Sequence, residues 1–193
     1  IQQQEYGKAF IQEKALFKRN PEFIRNIISL GRISFNKNQF DIAQQCFNFT
    51  LENIKYISQK LNAHLYLIKI AIALNQPEIE NQFAAIFKTY GKNSTTLKIQ
   101  IAQADYLTFQ QDNPEKAIEI LSDALKIANS KFQKAEIKLK LGDVIVFTGK
   151  FNKALIYFSQ VQALKIILWH KKQGIKWLEH RTLKAISPGL WHN

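Results

Sequence analysis

The chain has 193 residues, 46% of them hydrophobic and 22% charged, and 27 Lys and Arg against 15 Asp and Glu give a formal net charge of +12. That length suits one elongated array of about five small helical units, and no apolar run approaches the roughly 20 residues a membrane-spanning helix needs. The lone cysteine, Cys46, excludes an intrachain disulfide framework or a cysteine metal site.

Taken in chain order, the apolar spacing predicts helices throughout. A first helix runs through Tyr6 and Ala9 and ends before Pro21. A pair follows near 22–36 and 39–55. The stretch 58–91 holds a weaker pair, in which Phe83, Ile86 and Phe87 keep an apolar stripe. Two further pairs are expected near 94–111 and 114–129, and near 131–148 and 151–165. Asn20-Pro21-Glu22 and Asn113-Pro114-Glu115 each place a capping side chain before a proline at the first helical position, then an acid near the positive helix end. Gln76-Pro77-Glu78 is a weaker version. Ser130 followed by Gln133 can close a capping box. Ile137, Leu141, Val144 and Ile145 form one helical stripe, and Ala154, Leu155, Phe158 and Val161 another. Gly149, between them, suits a left-handed helix end.

Two of these pairs carry the same residues in the same order. Leu30, Gly31, Phe40, Ala43 and Phe47 recur as Leu141, Gly142, Phe151, Ala154 and Phe158. Ala9 to Ala43 spans about 34 positions, one unit of the tetratricopeptide repeat. Ala117 to Ala154 is a slightly longer interval, and the two matched sets lie three such intervals apart. On these residues the chain resembles the tetratricopeptide repeat family over 1–165. The resemblance is best in 22–55 and 131–165, and in 58–91 the Leu-Gly and the small residue cannot be aligned. It implies an all-α fold, a right-handed α-solenoid of stacked helix-turn-helix units, with a half-unit at 1–21 and units at about 22–57, 58–92, 93–129 and 130–165. The alternative architecture is an ordinary helical bundle.

The resemblance also implies a function: a bacterial, non-enzymatic scaffold that binds a protein or peptide in its concave groove. A repeat segment of a larger sensory or regulatory protein is the alternative. In the family the first helix of each unit lines the groove. The matching positions here are Arg25, Arg32, Phe35 and Asn36 in one unit, and Glu136, Asp143, Val146 and Phe147 in another. This mixture of bases and acids does not resemble the uniformly basic groove that clamps a peptide carboxylate.

The positive charge is spread singly among Gln, Asn, Ile and Phe. A solvated surface is the expected reading, and nucleic-acid binding by a basic helical repeat the weaker alternative. Methionine is absent, and the chain opens at the loop before a second helix. A fragment lacking its natural N-terminus is therefore expected, with compartment left open and self-association through truncated ends allowed. From residue 166 the composition changes. Trp169, Trp177 and Trp191 gather there with His170, His180 and His192, among Lys171, Lys172, Lys176, Arg181 and Lys184. Such a segment could anchor at a membrane interface or bind a partner. The favoured reading of 166–193 is an out-of-frame translation, because shifting the reading frame by one base permits another repeat in phase with the array.

No phosphate-binding glycine loop, zinc-protease motif or nucleophile elbow is present. His64 stands alone, His170 and His180 lack partners at metal spacing, and Glu78 and Glu80 point to different sides of a helix. Cys46, beside Phe47, reads as a packed thiol. Asn48-Phe49-Thr50 and Asn93-Ser94-Thr95 match the glycosylation sequon, the first within a helix and the second as a cap. No catalytic, metal or cofactor residue is expected, and no small-molecule substrate.

Overall fold

The computed structural model describes residues 2–162, with side-chain surroundings for 5–161. The expectations for the tail at 166–193 lie outside the described residues. The described residues are all-α, with no strand among them. Nine helices follow in order: α1 Gln2–Arg19, α2 Ile24–Asn36, α3 Phe40–Asn53, α4 Ile57–Ala73, α5 Ile79–Tyr90, α6 Leu97–Phe109, α7 Pro114–Ile127, α8 Lys131–Phe147 and α9 Phe151–Gln162. The chain divides after Gly91 into two compact units. The first holds α1–α5 and the second α6–α9.

Helix starts follow the capping chemistry in part. Asn113 Oδ1 accepts from the Lys116 amide at 3.2 Å, ahead of Pro114 at the first helical position. Ser130 and Gln133 close a full capping box, with the Gln133 amide donating to Ser130 Oγ at 3.1 Å and the Ser130 amide donating to Gln133 Oε1 at 3.2 Å. Asn20 accepts from the Glu22 amide at 2.9 Å, but it caps a single 3-10 turn, Pro21–Phe23, and the α-helix proper begins at Ile24. Pro77 caps nothing. Glu78 takes a left-handed φ of 66°, and α5 starts only at Ile79. Asn93 is not the cap of α6 either. Its Oδ1 accepts from the Thr95 amide at 2.9 Å in the preceding turn, and Thr96 stands at the cap position.

The hairpin turns expose a regularity that residue identity hides. Asn38, Asn75, Asp112 and Gly149 all have positive φ, at 58°, 48°, 48° and 75°. They recur at one constant interval, the same interval that separates Ala117 from Ala154. Each follows the first helix of a hairpin, α2, α4, α6 or α8, as a left-handed residue, a conformation open to Gly at no cost and to Asn and Asp at little. Three of the turns close alike. The Gln39 amide donates to Ser34 O at 2.8 Å, Gln76 to Ala71 O at 2.9 Å and Lys150 to Ile145 O at 3.3 Å. This is the six-to-one bond that satisfies orphan helix carbonyls. At Asp112 a wider version runs from the Asn113 amide to Leu107 O at 2.8 Å. The stretch 58–91 is therefore a hairpin in phase with the others.

Within the hairpins, small residues set how closely the helices approach. A Cβ on Gly31 would lie 2.9 Å from Cys46 Cβ and 3.0 Å from the Phe47 ring. A Cβ on Gly142 would overlap the ring of Phe158. Ala43, Ala117 and Ala154 are buried. One interval beyond Gly31 and Ala43 stand Ile68 and Glu80. A branched side chain and a carboxylate cannot nest as Gly and Ala do. Accordingly α4 and α5 meet over less of their length than α2 and α3 do, and α5 buries Ile79, Phe83 and Ile86 instead.

In the first unit, Phe10, Ile24, Ile27, Ile42 and Cys46 join α1, α2 and α3. Ala43, Phe47, Ala63 and Ile70 join α3 to α4. In the second, Leu97, Ile101, Ala104 and Leu107 of α6 pack with Ala117, Leu121 and Ala124 of α7 and with Ile137, Leu141 and Val144 of α8. Ala135 and Leu139 of α8 pack with Val161 of α9. Within each unit, consecutive helices thus rest on one another, as apolar stripes demand. Ala154 is 1% exposed, so Ala154→Leu should overpack the contact and cost about 1–3 kcal/mol. Thermal melting checks this, and an unchanged midpoint would remove Ala154 from the helix contact.

Candidate functional site

The first helices of the hairpins are α2, α4, α6 and α8. On α2, Arg25, Arg32 and Asn36 are exposed. Phe35 is half-buried, and its ring is engaged internally, 5.8 Å from Phe40 and 5.4 Å from Tyr66. Phe47 stacks on the same Tyr66 at 4.7 Å. Phe35 thus joins α2, α3 and α4, which leaves exposed polar residues of α2, with the apolar Ile33 among them, open to solvent.

On α8, Glu136, Asp143 and Val146 are half-buried and Phe147 is exposed. Residues 136, 140, 143 and 147 share one helix face, since steps of three and four keep side chains adjacent. That face meets α6. Lys140 Nζ donates to both Asp105 oxygens at 3.0 Å. Phe147 meets Phe109 edge to face, with ring centroids 5.7 Å apart. Both rings stay open to solvent, Phe109 45% and Phe147 46% exposed. The sequence reading named Asp143 and Phe147 on this face but not Asp105, Phe109 or Lys140. Asp105 and Phe109 are four apart on α6, as Asp143 and Phe147 are on α8. This repeated acid-to-phenylalanine step was the available signal.

The electrostatics of this face are unbalanced. One ammonium, Lys140, serves two carboxylates. Asp143 Oδ2 is closed off from solvent and accepts no hydrogen bond. Burial, opposed by Lys140 and reinforced by the negative charge of Asp105, pushes the Asp143 carboxyl up to about 6. The folded state therefore holds a proton more tightly than the unfolded chain does. Stability falls as pH rises from about 4 to about 6, and the penalty is complete above that. Asp143→Asn should stabilise the chain at pH 8 by roughly 2–3 kcal/mol and leave it unchanged near pH 3. Urea unfolding at the two pH values measures this, and an equal effect at both would show that ionisation of Asp143 is not the cause.

Cys46 and His64 are also shifted by burial. Burial raises the Cys46 thiol to about 12, so it is not a thiolate nucleophile at neutral pH. His64 lies 5.7 Å from the Tyr90 ring, and burial first, then Lys60, lower its pKa. No group of three or more His, Cys, Asp or Glu among the described residues could hold a metal ion. No helix among them is long and apolar enough to cross a membrane.

No protein-family model, curated protein or solved structure matches this chain.

Proposed function

We propose that the chain is a non-enzymatic scaffold of the tetratricopeptide type, a right-handed helical solenoid whose units each dock a protein or peptide segment on the first helices of their hairpins. The observation that carries this reading is the pair of Leu-Gly contacts. Gly31 lies against Cys46 and Phe47, and Gly142 against Phe158, the close crossing through small residues that tetratricopeptide hairpins require. The constant interval of left-handed turn residues supports it. The exposure of the polar residues of α2 in the first unit, and of Phe109 and Phe147 in the second, is what supports reading each as lining rather than core. Repeats of this kind offer extended surfaces for recognition.

The test is selection of random displayed peptides on the full chain, followed by titration of the recovered peptides into 15N-labelled protein. Saturable binding with amide shifts at 105, 109, 143 and 147, or along the exposed residues of α2, is the expected result. If no peptide binds while a single-stranded oligonucleotide does, with affinity falling steeply as salt rises, the reading gives way to the basic nucleic-acid-binding repeat.

A further inference from the structure

The α6–α8 face combines two features. One is an aromatic pair, Phe109 and Phe147, with nearly half of each residue in water. The other is a carboxylate that the fold leaves short of positive charge. Lys140 is committed to both oxygens of Asp105 at 3.0 Å, and its side chain is only 17% exposed. Asp143 Oδ2 is closed off from solvent with no hydrogen-bond partner, and the residue as a whole is half-buried, so an incoming cation meets its remaining, solvent-facing side. Asp105, Lys140 and Asp143 together carry one uncompensated negative charge, on a chain whose net charge is +12. The charge of the face is thus opposite in sign to that of the molecule.

Partial burial strengthens the pull of such a carboxylate on a cation, because the effective dielectric there is lower than in water. A bare ion would leave the rings exposed. An apolar side chain alone would leave Asp143 uncompensated. A basic side chain next to an apolar one meets both needs, and the spacing is defined by one helical turn, the step from Asp143 to Phe147, about 6 Å. A guanidinium fits best, since its planar fork pairs with a carboxylate and its face also rests on aromatic rings.

We infer that the α6–α8 face takes a peptide segment carrying an arginine beside a bulky apolar residue, the arginine seated at Asp143 and the apolar side chain on the Phe109–Phe147 pair. This deepens the proposed scaffold reading and rests on it. The occupant is a protein segment of basic-apolar character, and the face selects against acidic segments by repulsion from Asp143 and Glu136.

The experiment uses the full chain and a defined set of nine-residue peptides in a Gly-Ser background. One member has adjacent Arg and Leu, one has Arg→Glu, one has Leu→Ser, and one has both replaced. Each is titrated into 15N-labelled protein and into the variants Asp143→Asn and Phe147→Ala, whose folding is checked by circular dichroism. The Arg-Leu peptide should bind at least tenfold more tightly than the Glu-Leu peptide, with shifts centred on 105, 109, 143 and 147. Asp143→Asn should remove most of that charge preference while sparing the contribution of Leu, and Phe147→Ala should do the reverse. Peptides that bind this face irrespective of charge would overturn the inference and leave the scaffold reading standing. If none of these peptides binds and random selection also recovers none, both fall together.

Discussion

Phe47→Ala should lower the stability of the chain by about 3–5 kcal/mol, the range for emptying a fully buried aromatic site. Phe47 is 0% exposed. Its ring stacks on Tyr66 of α4 at 4.7 Å and 9° between planes, and its edge lies 3.0 Å from where a Cβ on Gly31 would be. Alanine therefore removes one ring from three helices at once. The site cannot collapse easily, because α2 and α3 already touch through Gly31 and the Cβ of Cys46. Urea unfolding followed by circular dichroism measures the loss. The matched residue Phe158 is only half-buried, so Phe158→Ala should cost clearly less. Equal losses would mean that the repeat, rather than local packing, sets the energy. Gly31→Ala and Phe47→Ala should also be non-additive when combined, since they act on one contact.

Leu141→Ala should destabilise by about 2–5 kcal/mol. Leu141 is 1% exposed and lies in the core that ties α6, α7 and α8 together, with Ile101, Leu107, Leu121 and Val144. Its loss should also loosen the seating of α8, which carries Asp143, on α6 and α7. The thermal midpoint reports the first effect. The second appears as a smaller stabilisation by Asp143→Asn at pH 8 in the Leu141→Ala background than in the parent chain. A midpoint within about a degree of the parent would correspond to well under 1 kcal/mol and would place Leu141 outside the core.

Much of the architecture was legible because its signals are local. The helical stripe Ile137, Leu141, Val144 and Ile145 is all buried, and the Asn113 and Ser130 caps depend on neighbours within three residues. The failures came where two local rules compete. Gln76-Pro77-Glu78 has the form of a helix start, but the left-handed Glu78 delays α5. The phase of 58–91 escaped residue matching because a backbone conformation, not a side chain, is what repeats there. Asn38, Asn75, Asp112 and Gly149 are four positions with three residue types and one φ region.

The candidate face divides differently. Apolar periodicity and turn chemistry, written within a few residues of chain, were enough for the helices, their order and the small residues at the hairpin crossings. Neither could say that Phe35 would turn inward to Phe40 and Tyr66, nor that Lys140 would reach Asp105 rather than Asp143. Nor could they bring Phe109 against Phe147. Those outcomes depend on which side chains α6 and α8 present to each other once α7 has packed beneath both. A carboxylate oxygen closed off from solvent, its one nearby ammonium shared with Asp105, is a property of that meeting, because desolvation and charge balance are set by neighbours distant along the chain.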